Sequence, residues 1–172
     1  MTDTPSRSQR VKQVVEDLDL RAKRYEEKAD PRLIFTLIYE EITDRMLTEL
    51  VNQETNPTRG FSDPLWLADL DRRFAEYYLE ATDAFDKNDP QTPTPEAWKA
   101  VFVAIGAGKS TSAPDVMRVL LLSMVAHIRH DLVFALVDLK ATDRNEGDHK
   151  LVTQLLCEEI DNVQNILSLI HI

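Results

Sequence analysis

Two histidines and an aspartate lie in the middle of the most apolar stretch of the chain, residues 112–139. His127 and Asp131 are four residues apart, which places both side chains on one face of a helix. A carboxylate beside an imidazole fixes the tautomer of the ring and raises its pKa, and a general acid or base needs this arrangement. We therefore predict a site in which His127 and Asp131 are the catalytic pair.

The neighbours of this pair are predicted from the helices before it. Tyr39 and Thr43 are four residues apart on one predicted helix, and Tyr78 lies on the next. A tyrosine hydroxyl in a core needs a hydrogen-bond partner, and the His-Asp pair would supply one. Tyr39, Thr43, Tyr78 and His130 are therefore the predicted ligand-binding residues.

Two other interpretations of the pair stay open. A buried His-Asp contact can be purely structural, since each group satisfies the other. Alternatively, His127, His130 and Asp131 could bind a metal together with Glu40 or Glu41 from another helix. The Glu-x-x-His pattern of helical di-iron sites occurs only at Glu146–His149, in a predicted connector. We predict neither a metal nor a cofactor for the site.

The composition is that of an ordinary globular protein. The chain has 172 residues, of which 43% are hydrophobic and 29% charged, enough for one domain with a substantial core. The net charge of −10 argues against nucleic-acid and anionic-membrane partners. Cys157 is the single cysteine, so no internal disulfide is available. Because the first residues lack the apolar run of a signal peptide, we expect a cytoplasmic protein.

Apolar residues recur at helical spacing along most of the chain, and no segment alternates like a strand. Residues 1–7 are predicted to be a flexible tail and residues 8–172 a single domain. A proline directly follows a capping or small residue at four predicted helix starts: Asp30-Pro31, Asp63-Pro64, Thr94-Pro95 and Ala113-Pro114. The first helix is predicted to end near Ala29, and Gly106 to stop the fourth. After a connector at 141–148, a last helix is predicted to reach the C-terminus.

Residues 113–139 are apolar on nearly every side, which is typical of a helix buried on all faces. Arg118, Arg129, His130 and Asp131 interrupt the apolar run, so a membrane span is not predicted. The sequence thus predicts an all-α, single-domain bundle of about six helices around this buried central helix.

The segment Ala126–Leu132 together with Ala135-Leu136 resembles the signature Ala-His-Ile-Asn-x-Asp-Leu-Pro-x-Ala-Leu of an uncharacterised all-helical family, a domain of unknown function. The resemblance covers roughly residues 30–140 and implies that His127 and Asp131 are the positions of interest. Arg129 stands where the family has Asn, and Val133 where it has Pro. Without that proline, the helix is expected to be straighter.

We predict a soluble helical protein with a small-molecule site, with or without acid-base catalysis, around the His-Asp pair. The alternative is a non-enzymatic interaction or scaffold protein that forms a homo-oligomer through its first or last helix. A helical metalloprotein is the third option. The residues do not decide whether the protein is an enzyme.

Overall fold

The computed structural model describes residues 6–56, 60–107 and 113–158. These residues form six helices and no strand. They are α1 (Arg7–Glu27), α2 (Leu33–Thr55), α3 (Pro64–Lys87), α4 (Glu96–Ala107), α5 and α6 (Glu146–Glu158). Helix α5 consists of two α-helical segments, Ala113–Ala126 and Leu132–Asp138, joined by a π-helical turn at His127–Asp131. A 3-10 turn, Asp143–Asn145, precedes α6. The predicted all-α bundle is confirmed.

Two helix starts are fixed by side chains that bind free backbone N–H groups. The Ser6 and Gln9 side chains form a reciprocal capping box at the start of α1, which satisfies two of these donors. The Asp63 side chain accepts a hydrogen bond from the Trp66 backbone N–H at 3.0 Å, as the Asp-Pro pattern predicts. Asp30 was expected to cap α2 in the same way. Its carboxylate accepts hydrogen bonds from both the backbone N–H of Arg32, at 3.0 Å, and the Arg32 side chain, but α2 begins at Leu33.

Two predicted helix limits are wrong, and the last helix is described in part. Gly106 does not stop α4, which continues to Ala107, since an isolated glycine weakens a helix without ending it. The predicted connector at 141–148 overlaps α6, which begins at Glu146. The predicted tail and C-terminal helix fall largely on residues 1–5 and 159–172, which lie outside the described residues.

The core lies between α1, α2 and α3 on one side and α4 and α5 on the other. Helix α1 packs on α2 and α3, while α5 contacts α2, α3 and α4. The largest fully buried side chains include Trp98, Tyr25 and Tyr78. Helix α6 is held to the segment before α3, because the buried carboxylate of Asp148 accepts hydrogen bonds from the Ser62 and Asp63 backbone N–H groups, both at 2.7 Å.

Helix α5 differs from the expectation that it is enclosed on all sides. Its inner face, which carries Leu120, His127 and Asp131, is buried, but several large apolar side chains on its outer face are exposed. The segment Asp115–Asp138 is long and apolar enough to cross a membrane by length and composition. The core helix of a globular protein can meet the same criteria, and 39% of the tested window is buried in the fold.

Candidate functional site

The π-helical turn of α5 brings both histidines to one carboxylate. Within it, the backbone N–H of Leu132 donates to the carbonyl oxygen of His127, five residues back rather than the four of an α-helix. Such single turns inside α-helices are frequent at functional sites. The expectation that the helix is straighter with Val133 in place of proline stays a prediction.

Asp131 is the centre of the site and is fully buried. The indole Nε1–H of Trp98 donates to both of its carboxylate oxygens, at 3.0 and 2.9 Å. Nδ1 of His127 lies 2.8 Å from Oδ2, and Nδ1 of His130 lies 2.8 Å from Oδ1. Because an ionised carboxylate only accepts hydrogen bonds, an ionised Asp131 requires a proton on Nδ1 of both imidazoles. A buried acidic group is thereby held by three donors from two helices.

His127 is enclosed by aromatic rings. Its ring stacks on Phe74 with 3.6 Å between centroids and an interplanar angle of 9°, and the edges of Tyr39 and Phe35 pack against it at 4.4 and 5.5 Å. Burial lowers the pKa of His127, although its hydrogen bond to Asp131 acts in the opposite direction. Nε2 of His127 is buried without a hydrogen-bond partner. This imidazole is therefore buried among aromatic rings, and burial favours its neutral form.

His130 is the accessible member of the cluster. About 25% of its side chain is exposed, and it lines an open groove of about 670 Å³ between the C-terminal half of α3, the loop before α4, and α5. The groove is lined by Tyr77, Glu80, Ala81, Asp83, Ala84, Lys87, Thr92, Pro93, Pro95, His130 and Phe134. With Nδ1 directed at Asp131, the ring leaves Nε2 on its opposite edge. The accessible imidazole of the cluster is therefore that of His130, whereas the sequence had pointed to His127.

A family model described as "Family of unknown function (DUF5995)" matches residues 11–171. The chain belongs to this family. The predicted membership of a helical family of unknown function is confirmed, and the match extends well beyond the residues 30–140 on which the resemblance rested. No curated protein and no solved structure matches this DUF5995 chain.

The predicted ligand-binding residues of the DUF5995 protein separate into two groups. Tyr39 packs against His127, and its hydroxyl is buried without a hydrogen-bond partner. Tyr78 does not turn its hydroxyl to the His-Asp pair, because that oxygen lies 2.6 Å from the hydroxyl of Thr36. Thr43 donates to the backbone carbonyl of Tyr39, one turn back in α2, at 2.8 Å. None of these three residues lines the groove, so His130 is the predicted ligand-binding residue that does.

Two residues of the DUF5995 site were missed by sequence reasoning. Trp98 appears in the sequence only as an apolar residue of a short helix, although a buried indole N–H usually needs an acceptor. Asp71 lies one turn before Phe74 on α3, and its Oδ2 is buried without a partner. Burial raises the pKa of Asp71 to about 7. Burial also raises the pKa of Tyr39, and the nearby charge of Asp71 adds to that rise.

The donor set of the DUF5995 site does not assemble a metal centre. Among the described residues, no group of three or more His, Cys, Asp or Glu side chains could hold a metal ion. Both oxygens of Asp131 are already engaged by N–H donors. Glu40 lies near Asp19 and Lys23, whose charges act on its carboxyl group, and so it faces α1 rather than the histidines.

Proposed function

We propose that the groove beside His130 binds a small molecule and that His130 acts there as a general acid or base. The observation that carries the proposal is the position of Asp131. Its carboxylate is buried, is fixed by Trp98 and His127 from inside, and turns one oxygen to Nδ1 of His130. A base oriented by a third group is the recurrent arrangement of acid-base catalysis.

The chemistry follows from the tautomer. With a proton on Nδ1, the Nε2 lone pair of His130 is free to accept a proton from a bound molecule. The imidazolium that forms would be stabilised by the buried carboxylate 2.8 Å away. His127 and Trp98 would act as positioning residues, because they contact Asp131 and do not line the groove.

The lining of the groove supports a ligand that is partly apolar. Tyr77, Phe134 and prolines 93 and 95 offer apolar surface, whereas Glu80 and Lys87 bring charges of opposite sign to its margin. Ligand sites in proteins combine apolar walls with a few oriented polar groups in this way. A small organic molecule with one polar group that exchanges a proton fits this lining.

The test is a fragment screen by NMR on protein with 15N-labelled histidine, using a library of small aromatic acids and amines. We expect several fragments to shift the His130 imidazole signals and to lose their effect in Ala84→Trp, which fills the groove. Leu20→Glu, a change on the exposed side of α1, is the matched control and should retain binding. The proposal fails if no fragment shifts His130, or if Ala84→Trp binds the fragments as wild type does.

A further inference from the structure

Exposed apolar side chains follow one face of α5 from end to end. They are Met117, Leu121, Met124, Val125, Ile128, Val133 and Val137, called here the apolar stripe. Up to Ile128, their spacing of three and four residues is that of one α-helical face. The step from Ile128 to Val133 is five residues, and it crosses the π-helical turn, where five residues separate hydrogen-bonded groups. The turn thus keeps both halves of the stripe on the same side.

The stripe lies at the upper end of the apolar patch sizes that monomeric proteins leave in water. Its seven side chains expose between 37% and 67% of their surface, which amounts to roughly 600 Å² of apolar area, and the largest patch of a typical monomer is about 300–600 Å². Leu122 is also exposed on α5. With it, the area reaches most of the ~800 Å² that each partner contributes to a standard interface.

We propose that two copies of the chain pair through the apolar stripe of α5 around a two-fold axis. The seven side chains of the stripe are apolar, and the exposed Arg118 and Arg129 lie beside it on α5. A second stripe is complementary to it by symmetry, because a two-fold interface uses the same patch on both subunits. The net charge of −10 opposes an anionic membrane as the occupant.

The position of this interface differs from the one expected from the sequence, which was the first or last helix. The apolar face of α1 is turned inward, and Val11, Val14 and Leu18 are buried against other helices. Only α5 combines a buried inner face with a long exposed apolar face among the described helices. The pairing is independent of the proposed function, since Leu121 and Ile128 do not line the groove.

Sedimentation equilibrium of the full chain tests the pairing. We expect a dimer at about 10 μM wild-type protein, and we expect the double variant Leu121→Glu, Ile128→Glu to weaken association by about 100-fold or more, because pairing would bury unpaired charges. Both residues are more than half exposed, so the helical circular dichroism signal should be unchanged. Leu20→Glu, with a wild-type side chain that is 65% exposed on α1, should remain a dimer.

Three results would overturn the proposal. The first is a wild-type protein that stays monomeric at about 100 μM, as it would if residues 159–172 of the same chain covered the stripe. The second is a dimer that Leu20→Glu breaks and the double variant does not. The third is a monomer that binds phosphatidylcholine vesicles through the stripe. Fragment binding at the groove should be the same in the double variant, so this test and that of the proposed function fail separately.

Discussion

The indole Nε1–H of Trp98 donates to both carboxylate oxygens of Asp131, at 3.0 and 2.9 Å. This contact joins α4 to the π-helical turn of α5, 33 residues further along the chain. It places a donor on the inner side of the carboxylate and leaves Oδ1 directed also at His130. The buried contact therefore supports both the packing of α4 and the orientation of the accessible imidazole.

Trp98→Phe should destabilise the protein by about 1–3 kcal/mol, since it leaves a buried acceptor with one donor fewer and a smaller ring in the core. Urea unfolding measures the change. Trp66→Phe is the matched control, because the Nε1 atom of Trp66 is buried without a hydrogen-bond partner. The Trp66 variant should lose less stability, and equal losses would show that the indole hydrogen bond contributes nothing.

Asp131→Ala should cost about 3–5 kcal/mol of unfolding free energy, because it removes the common acceptor of three buried or half-buried donors. Asp131→Asn should also destabilise the fold, since an amide N–H group would face other N–H donors. The control is Glu16→Gln, a change in an exposed ion pair with Lys12. Urea midpoints that coincide for Asp131→Asn and Glu16→Gln would contradict the assigned hydrogen bonds.

His127 should gain a proton in the folded protein only at a lower pH than in the unfolded chain, because burial lowers its pKa. In the unfolded chain the ring titrates near its ordinary value of about 6.5. Its contribution to stability is therefore complete above about pH 6.5 and declines below it, by at most about 1.4 kcal/mol per pH unit. Histidine 15N spectra of folded and urea-unfolded protein measure this, and a folded His127 that gains its proton at the same pH as the unfolded chain, or at a higher one, would contradict it.

Asp71 should make the protein less stable as the pH rises from about 4 to about 7. Burial raises its pKa to about 7 in the folded protein, so the folded state binds more protons than the unfolded state across that window. Asp71→Asn should therefore raise the unfolding free energy at pH 8, by about 1–3 kcal/mol, and the gain should vanish near pH 4. Urea unfolding at both pH values measures the gain, and an equal gain at pH 4 and pH 8 would contradict this prediction.

Local patterns predicted the fold well. Apolar spacing located the helices, and the Asp63-Pro64 pattern predicted the start of α3, because capping depends on neighbouring residues alone. The burial of α5 was predicted less well. An apolar helix can face a core, a membrane or another subunit, and composition does not distinguish these environments. The limits at Gly106 and at the 141–148 connector failed because an isolated glycine weakens a helix without ending it.

The candidate site was predicted only in part. The spacing of His127 and Asp131 correctly implied their contact, since residues four apart meet on a helix. It could not indicate that His130 would share the same carboxylate, because that depends on the π-helical turn. Nor could the spacing indicate that Trp98 contacts Asp131, because this contact joins two helices and no local pattern encodes it. Which imidazole faces the groove was likewise decided by packing around Phe74.

The tautomer of His130 tests the central claim most directly. Long-range 1H–15N spectra of histidine-labelled protein at alkaline pH, where imidazoles are neutral, report which ring nitrogen carries the proton. We predict the Nδ1–H form for His130, with Nε2 unprotonated, and a shift towards the Nε2–H form in Asp131→Asn. A wild-type His130 protonated on Nε2 would contradict the account, because Asp131 would then not orient this ring for proton transfer in the groove.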